Sequence, residues 1–177
     1  MTTIDERYRR ADYRPDEPSA AYSPAAAVNG TVPAGGLDLP GGPGRVLVET
    51  LHNAGGMAHR ALLGGTWAPG PAGGIAFLVG VSGPITSGAP ATVASVLGQP
   101  LVPGLPDEFG QPVLTGLSRA AGQLPPGTFT IDRAGYHEAW SSALAFQRTA
   151  GLLADVLVAL CRGQDPEPAV RAALRSW

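Results

Sequence analysis

The chain has 177 residues, enough for one domain with an apolar core and short for two. All 12 basic residues are arginine and the formal net charge is −2, which excludes a lysine-dependent phosphate-binding loop and argues against a broad basic surface for nucleic acid. Glycine (25) and proline (18) are abundant, yet 44% of the chain is hydrophobic, so the punctuation must be concentrated in particular segments.

Residues 1–44 mix charges with Ala, Pro and Gly and offer few large apolar side chains to offset the entropy of ordering, so the sequence predicts a disordered arm. No apolar stretch of the signal-peptide kind opens the chain, and no run suggests a membrane span, which makes the cytoplasm the expected compartment, with no membrane partner. Order is expected from Arg45, where Val46, Leu47, Val48, Glu49, Thr50 and Leu51 form a β-prone run. Asn53, Ala54, Gly55 and Gly56 then read as a turn, and residues 57–63 as the returning strand of a hairpin, interrupted at Gly64 and Gly65.

Residues 75–81 are a continuous apolar strand, expected near the middle of a sheet. Residues 83–105 carry too much Gly and Pro for assignment beyond a short helix or strand at 92–97. Pro106, Asp107 and Glu108 look like a first helical turn, with Phe109, Val113, Leu114 and Leu117 on one face and Pro112 able to delay the start. Residues 128–133 predict another strand. Ser141 or Ser142 can then cap a helix over residues 143–161 that is apolar nearly all round, leaving Arg148, Asp155 and Arg162 as a narrow wet stripe. Residues 163–177 are expected to be a tail or a short helix through Val170 and Leu174.

His52, His59 and His137 are far apart in sequence, with no His-Glu-x-x-His helix and no cysteine pair, so neither a metal nor a cofactor is expected; a cluster with Glu49 and Glu138 is the minority alternative. Cys161, alone in an apolar run, reads as a buried hydrophobe. Ser141 and Ser142 lack a Gly-x-Ser-x-Gly setting and read as caps, so no catalytic residue is assigned.

Several local patterns occur in the order found in the fourth domain of translation elongation factor G. Glu49, Thr50 and Leu51 match the end of that domain's first strand, Gly55 and Gly56 its glycine loop, and Ala58 with His59 the start of its second strand. Pro106, Glu108, Phe109, Val113, Gly116 and Leu117 fall at the spacing of its glycine-containing helix. Gly135, Tyr136, His137, Ser141, Ser142, Ala145 and Phe146 follow its Gly-x-Tyr-His-x-x-Asp-Ser-Ser-x-x-Ala-Phe pattern.

The chain therefore resembles that domain over residues 45–162, apart from the poorly matched residues 64–105. The resemblance implies an α+β fold, a two-layer sandwich of a mostly antiparallel four-stranded sheet with two helices packed on one face, related to the second domain of ribosomal protein S5. It also implies a non-catalytic, translation-associated role, with Gly55, Gly56, His59, Tyr136 and His137 as a tip contacting the ribosome or structured RNA. Trp140 stands where the family has Asp, and the glycine loop is shorter. The alternative is a protein-interaction or homo-oligomeric module, with Trp140 as partner contact and the apolar last helix as a self-association surface; an enzyme using the histidines is the third reading.

Overall fold

The computed structural model describes residues 2–35, 44–70 and 73–177. Eight strands form one mixed sheet: β1 (Thr2–Glu6), β2 (Arg9–Arg14), β3 (Ala26–Val32), β4 (Arg45–Ala54), β5 (Met57–Pro69), β6 (Ile75–Val81), β7 (Val102–Pro103) and β8 (Gly127–Tyr136). Seven of them run in the order β1-β2-β4-β5-β8-β6-β3, and β7 pairs with β8 off this path. All pairings are antiparallel except β6 with β8. Three helices, α1 (Asp107–Ala120), α2 (Ala143–Cys161) and α3 (Glu167–Ser176), pack against the sheet.

This corrects the expected fold class. Among the described residues the sheet has eight strands, not four, and there are three α-helices, not two. The extra strands come largely from the segment read as a disordered arm: β1 and β2 extend the edge beyond β4, and β3 closes the opposite edge on β6. Low apolar content misled the sequence reading because the second face of β2 is buried by the charged side chains Asp12 and Arg14, and only one face of β1 and β2 is apolar. Ile4 and Ala11 supply that face, while backbone pairing to β4 is insensitive to side-chain type. Residues 36–43, the rest of that arm, lie outside the described residues.

In β4, Val46 and Val48 face the helices, and Leu47 and Glu49 face the other side; Ala61 and Leu63 of β5 continue the helix-facing set. The strand does not stop at Gly64 and Gly65 as expected. It runs on to Pro69 through a register shift between those two glycines, where a Cβ on Gly65 would lie 2.3 Å from the Thr130 carbonyl oxygen. β6 lies between β8 and β3 and buries Ile75, Phe77, Val79 and Val81 on one face, while Leu78 on the other is exposed.

α1 lies over β6 and β3, α2 over β4 and β5, and α3 over β1 and β2. Asp107 and Glu108 occupy the first turn of α1, and Pro112 sits inside the helix rather than before it. Ser142 caps α2, its Oγ accepting from the Ala145 N–H at 3.2 Å. By length and composition α2 could cross a membrane, which the sequence reading had missed. Here it is a core helix with most of its residues buried by the sheet, α1 and α3, an arrangement that fits a soluble protein. The same packing covers most of the apolar surface of α2, leaving Leu144 exposed. α3 buries Val170 and Leu174.

The opposite face of the sheet is covered in part by a short 3-10 turn, Pro18–Ala20, and by the segment 83–101, whose Val93 and Leu101 join Ala20, Leu47 and Leu62 in a second small apolar cluster.

Candidate functional site

β4 and β5 meet in the tight turn carrying Gly55 and Gly56, whose φ values of 58° and 81° need glycine and around which a Cβ would meet nothing within 4 Å. Their strands project the turn beyond the sheet, next to exposed Met57. The loop joining β8 to α2 is tied to the same hairpin. The Arg60 N–H donates to the Trp140 carbonyl at 2.9 Å, and Ser141 Oγ donates to the Arg60 carbonyl at 2.7 Å. Ser141 Oγ also accepts from the His137 N–H at 2.9 Å. One serine thus closes the loop while its neighbour caps the helix.

Within this loop the His137 and Trp140 rings stack, with centroids 4.1 Å apart and planes 11° apart. Trp140 remains 37% exposed. His137 Nδ1 accepts from the Ala139 N–H at 3.2 Å, so the neutral ring carries its proton on Nε2. Burial, helped by the Arg60 charge, holds the His137 pKa below its ordinary value, against a smaller opposing effect of Glu138. Glu138 accepts from Ser87 Oγ and the Gly88 N–H, and those bonds lower its pKa.

The structure divides the five expected tip residues. Gly55 and Gly56 are at the turn. His137 faces a shallow hollow lined by Gln99 and Pro100 of the 83–101 segment. Tyr136 is not a solvent-facing contact residue: it is 4% exposed, belongs to the main core and accepts from the Thr86 N–H at 3.4 Å. The register shift in β8 explains this: Asp132 has no partner on β5, so Ala134 and Tyr136 after it share the core face of Phe129 and Ile131 before it. His59 lies on the helix side of the sheet, beside its cross-strand partner His52, with ring centroids 6.2 Å apart.

His52 and His59 border a cleft of about 170 Å³ between the hairpin and α2, closed by Ala54, Leu144, Arg148 and Trp177. Arg148 lies over the Trp177 ring, 5.8 Å from its centroid. Burial first, and then the charges of Arg9, Arg148 and His59, depress the His52 pKa. His137 is separate from this pair, and no group of three or more His, Cys, Asp or Glu able to hold a metal occurs among the described residues.

Sequence reasoning missed the polar cluster beneath the 83–101 segment. Asp12 and Glu49 are cross-strand neighbours, both fully buried, with Arg14 and Arg60 around them. Arg14 reaches Asp12 at 2.5 Å and Glu49 at 3.7 Å, while Arg60 reaches Glu49 at 3.2 Å and Ser95 at 2.6 Å. The Val96 N–H completes the Glu49 carboxylate. With Glu17 a third carboxylate 3.8 Å from Arg14, both guanidiniums have counter-charges, so the cluster anchors the covering segment to the sheet rather than offering a free cation. Glu49 is therefore occupied structurally. Its partners come from three distant segments, and only the absence of Lys hinted that any buried cation would be Arg.

No protein-family model matches the chain, and no curated protein matches it.

Proposed function

We propose that the chain is a non-catalytic, translation-associated protein that touches the ribosome through structured RNA, using the Gly55–Gly56 turn and the His137–Trp140 loop. The observation that carries this reading is the stack of His137 on Trp140, an aromatic face on a loop hydrogen-bonded to Arg60 of the hairpin that carries the Gly55–Gly56 turn. Unpaired RNA bases dock on such faces, and the docking needs little net charge. The reading is also supported by the resemblance of residues 45–162 to the fourth domain of elongation factor G. Its setting is the cytoplasm.

Six arginines against six acids in that stretch allow few phosphate contacts, so binding is weak with a shallow salt dependence. The test is co-sedimentation with ribosomes of the wild type and of the double variant His137→Ala, Trp140→Ala. Association in the wild type that disappears in a folded double variant is the expected result. Ribosome association that survives the double change, or none in the wild type at low salt, overturns the proposal. A change in molecular mass caused by Trp140→Ala alone would instead favour the protein-partner reading, for which an exposed Trp is a fitting anchor.

A further inference from the structure

Arg148 is a half-buried guanidinium with no carboxylate and no hydrogen-bond acceptor in contact among the described residues; its one close partner is the face of Trp177. The neighbouring side-chain charges have the same sign. Arg9 lies next to His52 across the β2–β4 pair, but its guanidinium is spent on the backbone oxygens of Leu174, Arg175 and Trp177. His52 Nδ1 is buried without a partner. A cationic group withdrawn from water without a counter-charge is costly, and a bound anion would repay that cost.

The cleft in front of these groups is apolar elsewhere, walled by Ala54, Leu144 and the Trp177 ring. Its volume of about 170 Å³ is close to that of an engineered cavity of ~150 Å³ that accepts benzene. We propose that this cleft binds a small organic monocarboxylate with a body of one aromatic ring, the carboxylate paired with Arg148 and bonded to His52 or His59, and the ring held between Leu144 and Trp177. The site lies on the helix side of the sheet and does not rest on the RNA reading. The ribosome experiment and this one fail independently.

The probe is benzoate, titrated into the full ¹⁵N-labelled chain and followed by amide shifts. Saturable shifts at Ala54, Leu144 and Ala145 are expected. Arg148→Gln should weaken them by about tenfold or more, as loss of a charge-assisted pair does, while Arg119→Gln, which changes net charge equally but lies outside the cleft, stays within about twofold. Leu144→Trp, at a half-exposed side chain, should block binding by bulk and serves if Arg148→Gln fails to fold. Benzyl alcohol and inorganic phosphate, each lacking one half of the ligand, should not saturate. The proposal is overturned if benzoate does not saturate, if its shifts fall outside the cleft, if Arg119→Gln weakens it as much as Arg148→Gln, if Leu144→Trp leaves binding intact, or if phosphate alone or benzyl alcohol alone binds as well.

Discussion

Gly116 of α1 sits so close to Gly151 of α2 that a Cβ on Gly116 would lie 3.0 Å from the Gly151 nitrogen and 2.2 Å from the carbonyl oxygen of Gln147. The two helices touch through their backbones at this point, and the atoms in the way are main chain that cannot rotate aside. Gly116→Ala should therefore destabilise the protein despite its better helix propensity, by roughly 1–3 kcal/mol from overpacking. Gly122→Ala, where a Cβ meets nothing within 4 Å, should stay within about 0.5 kcal/mol. Denaturant melts of both variants decide it; equal stability would mean that the helices can part without cost.

The buried cluster predicts a second asymmetry. Glu49→Gln keeps the shape of the side chain but leaves Arg60 and Arg14 without their shared counter-charge, which should cost about 3–5 kcal/mol. Asp5→Asn, removing the exposed pair with Arg10, should cost no more than about 1 kcal/mol. Similar midpoints for the two would show that water reaches Glu49.

The same cluster marks the limit of what the sequence could tell. The local signals were readable: the Ser142 cap, the Phe109, Val113 and Leu117 face, and the hairpin turn at Gly55 and Gly56 all follow from spacing over a few residues. Arg60 and Glu49 were not readable, because a buried ion pair looks like any two surface charges until the fold brings segments 83–101 and β2 over them. β1 and β2 were lost for a related reason: strand formation there depends on the β4 edge, not on their own apolar pattern. At the candidate site, spacing located the loop and the turn correctly but could not separate the two sheet faces. Tyr136, although buried and part of the main core, was therefore grouped with His137.

Residues 2–35 are part of the sheet, so a chain starting at Gly44 should not match the full one. It loses Ile4 and Ala11 from the core, Arg14 and Asp12 from the ion cluster, and the β3 cover of β6. We expect a thermal midpoint lower by more than about 10 °C, since about 1 kcal/mol corresponds to roughly 2–4 °C at this size and several are lost. Equal midpoints would show that the N-terminal strands are held too weakly to matter.

The final prediction concerns pH. His52 and His137 both have pKa values held below the ordinary 6.5, chiefly by burial, with Arg9, Arg148 and His59 adding to the effect at His52 and Arg60 at His137. In the unfolded chain these imidazoles titrate normally, so as pH falls through about 6.5 the unfolded state takes up protons that the folded state refuses. Stability from this source is fully present above that pH and is lost as pH drops toward the folded values. Asp155 acts with the opposite sign, because burial raises its pKa above 3.8 and the folded state then gains protons first. Thermal midpoints measured from about pH 7.5 down into the ordinary carboxylate range would therefore carry both effects in the wild type, and single variants separate them. His52→Gln and His137→Gln should each flatten the fall in midpoint with decreasing pH, whereas Asp155→Asn should steepen it. Added salt should reduce the His52 contribution by screening Arg9 and Arg148, but should not remove the part due to burial. If both histidine variants keep the wild-type slope, neither ring is held neutral by the fold, and the cationic neighbourhood of Arg148 is already screened by water.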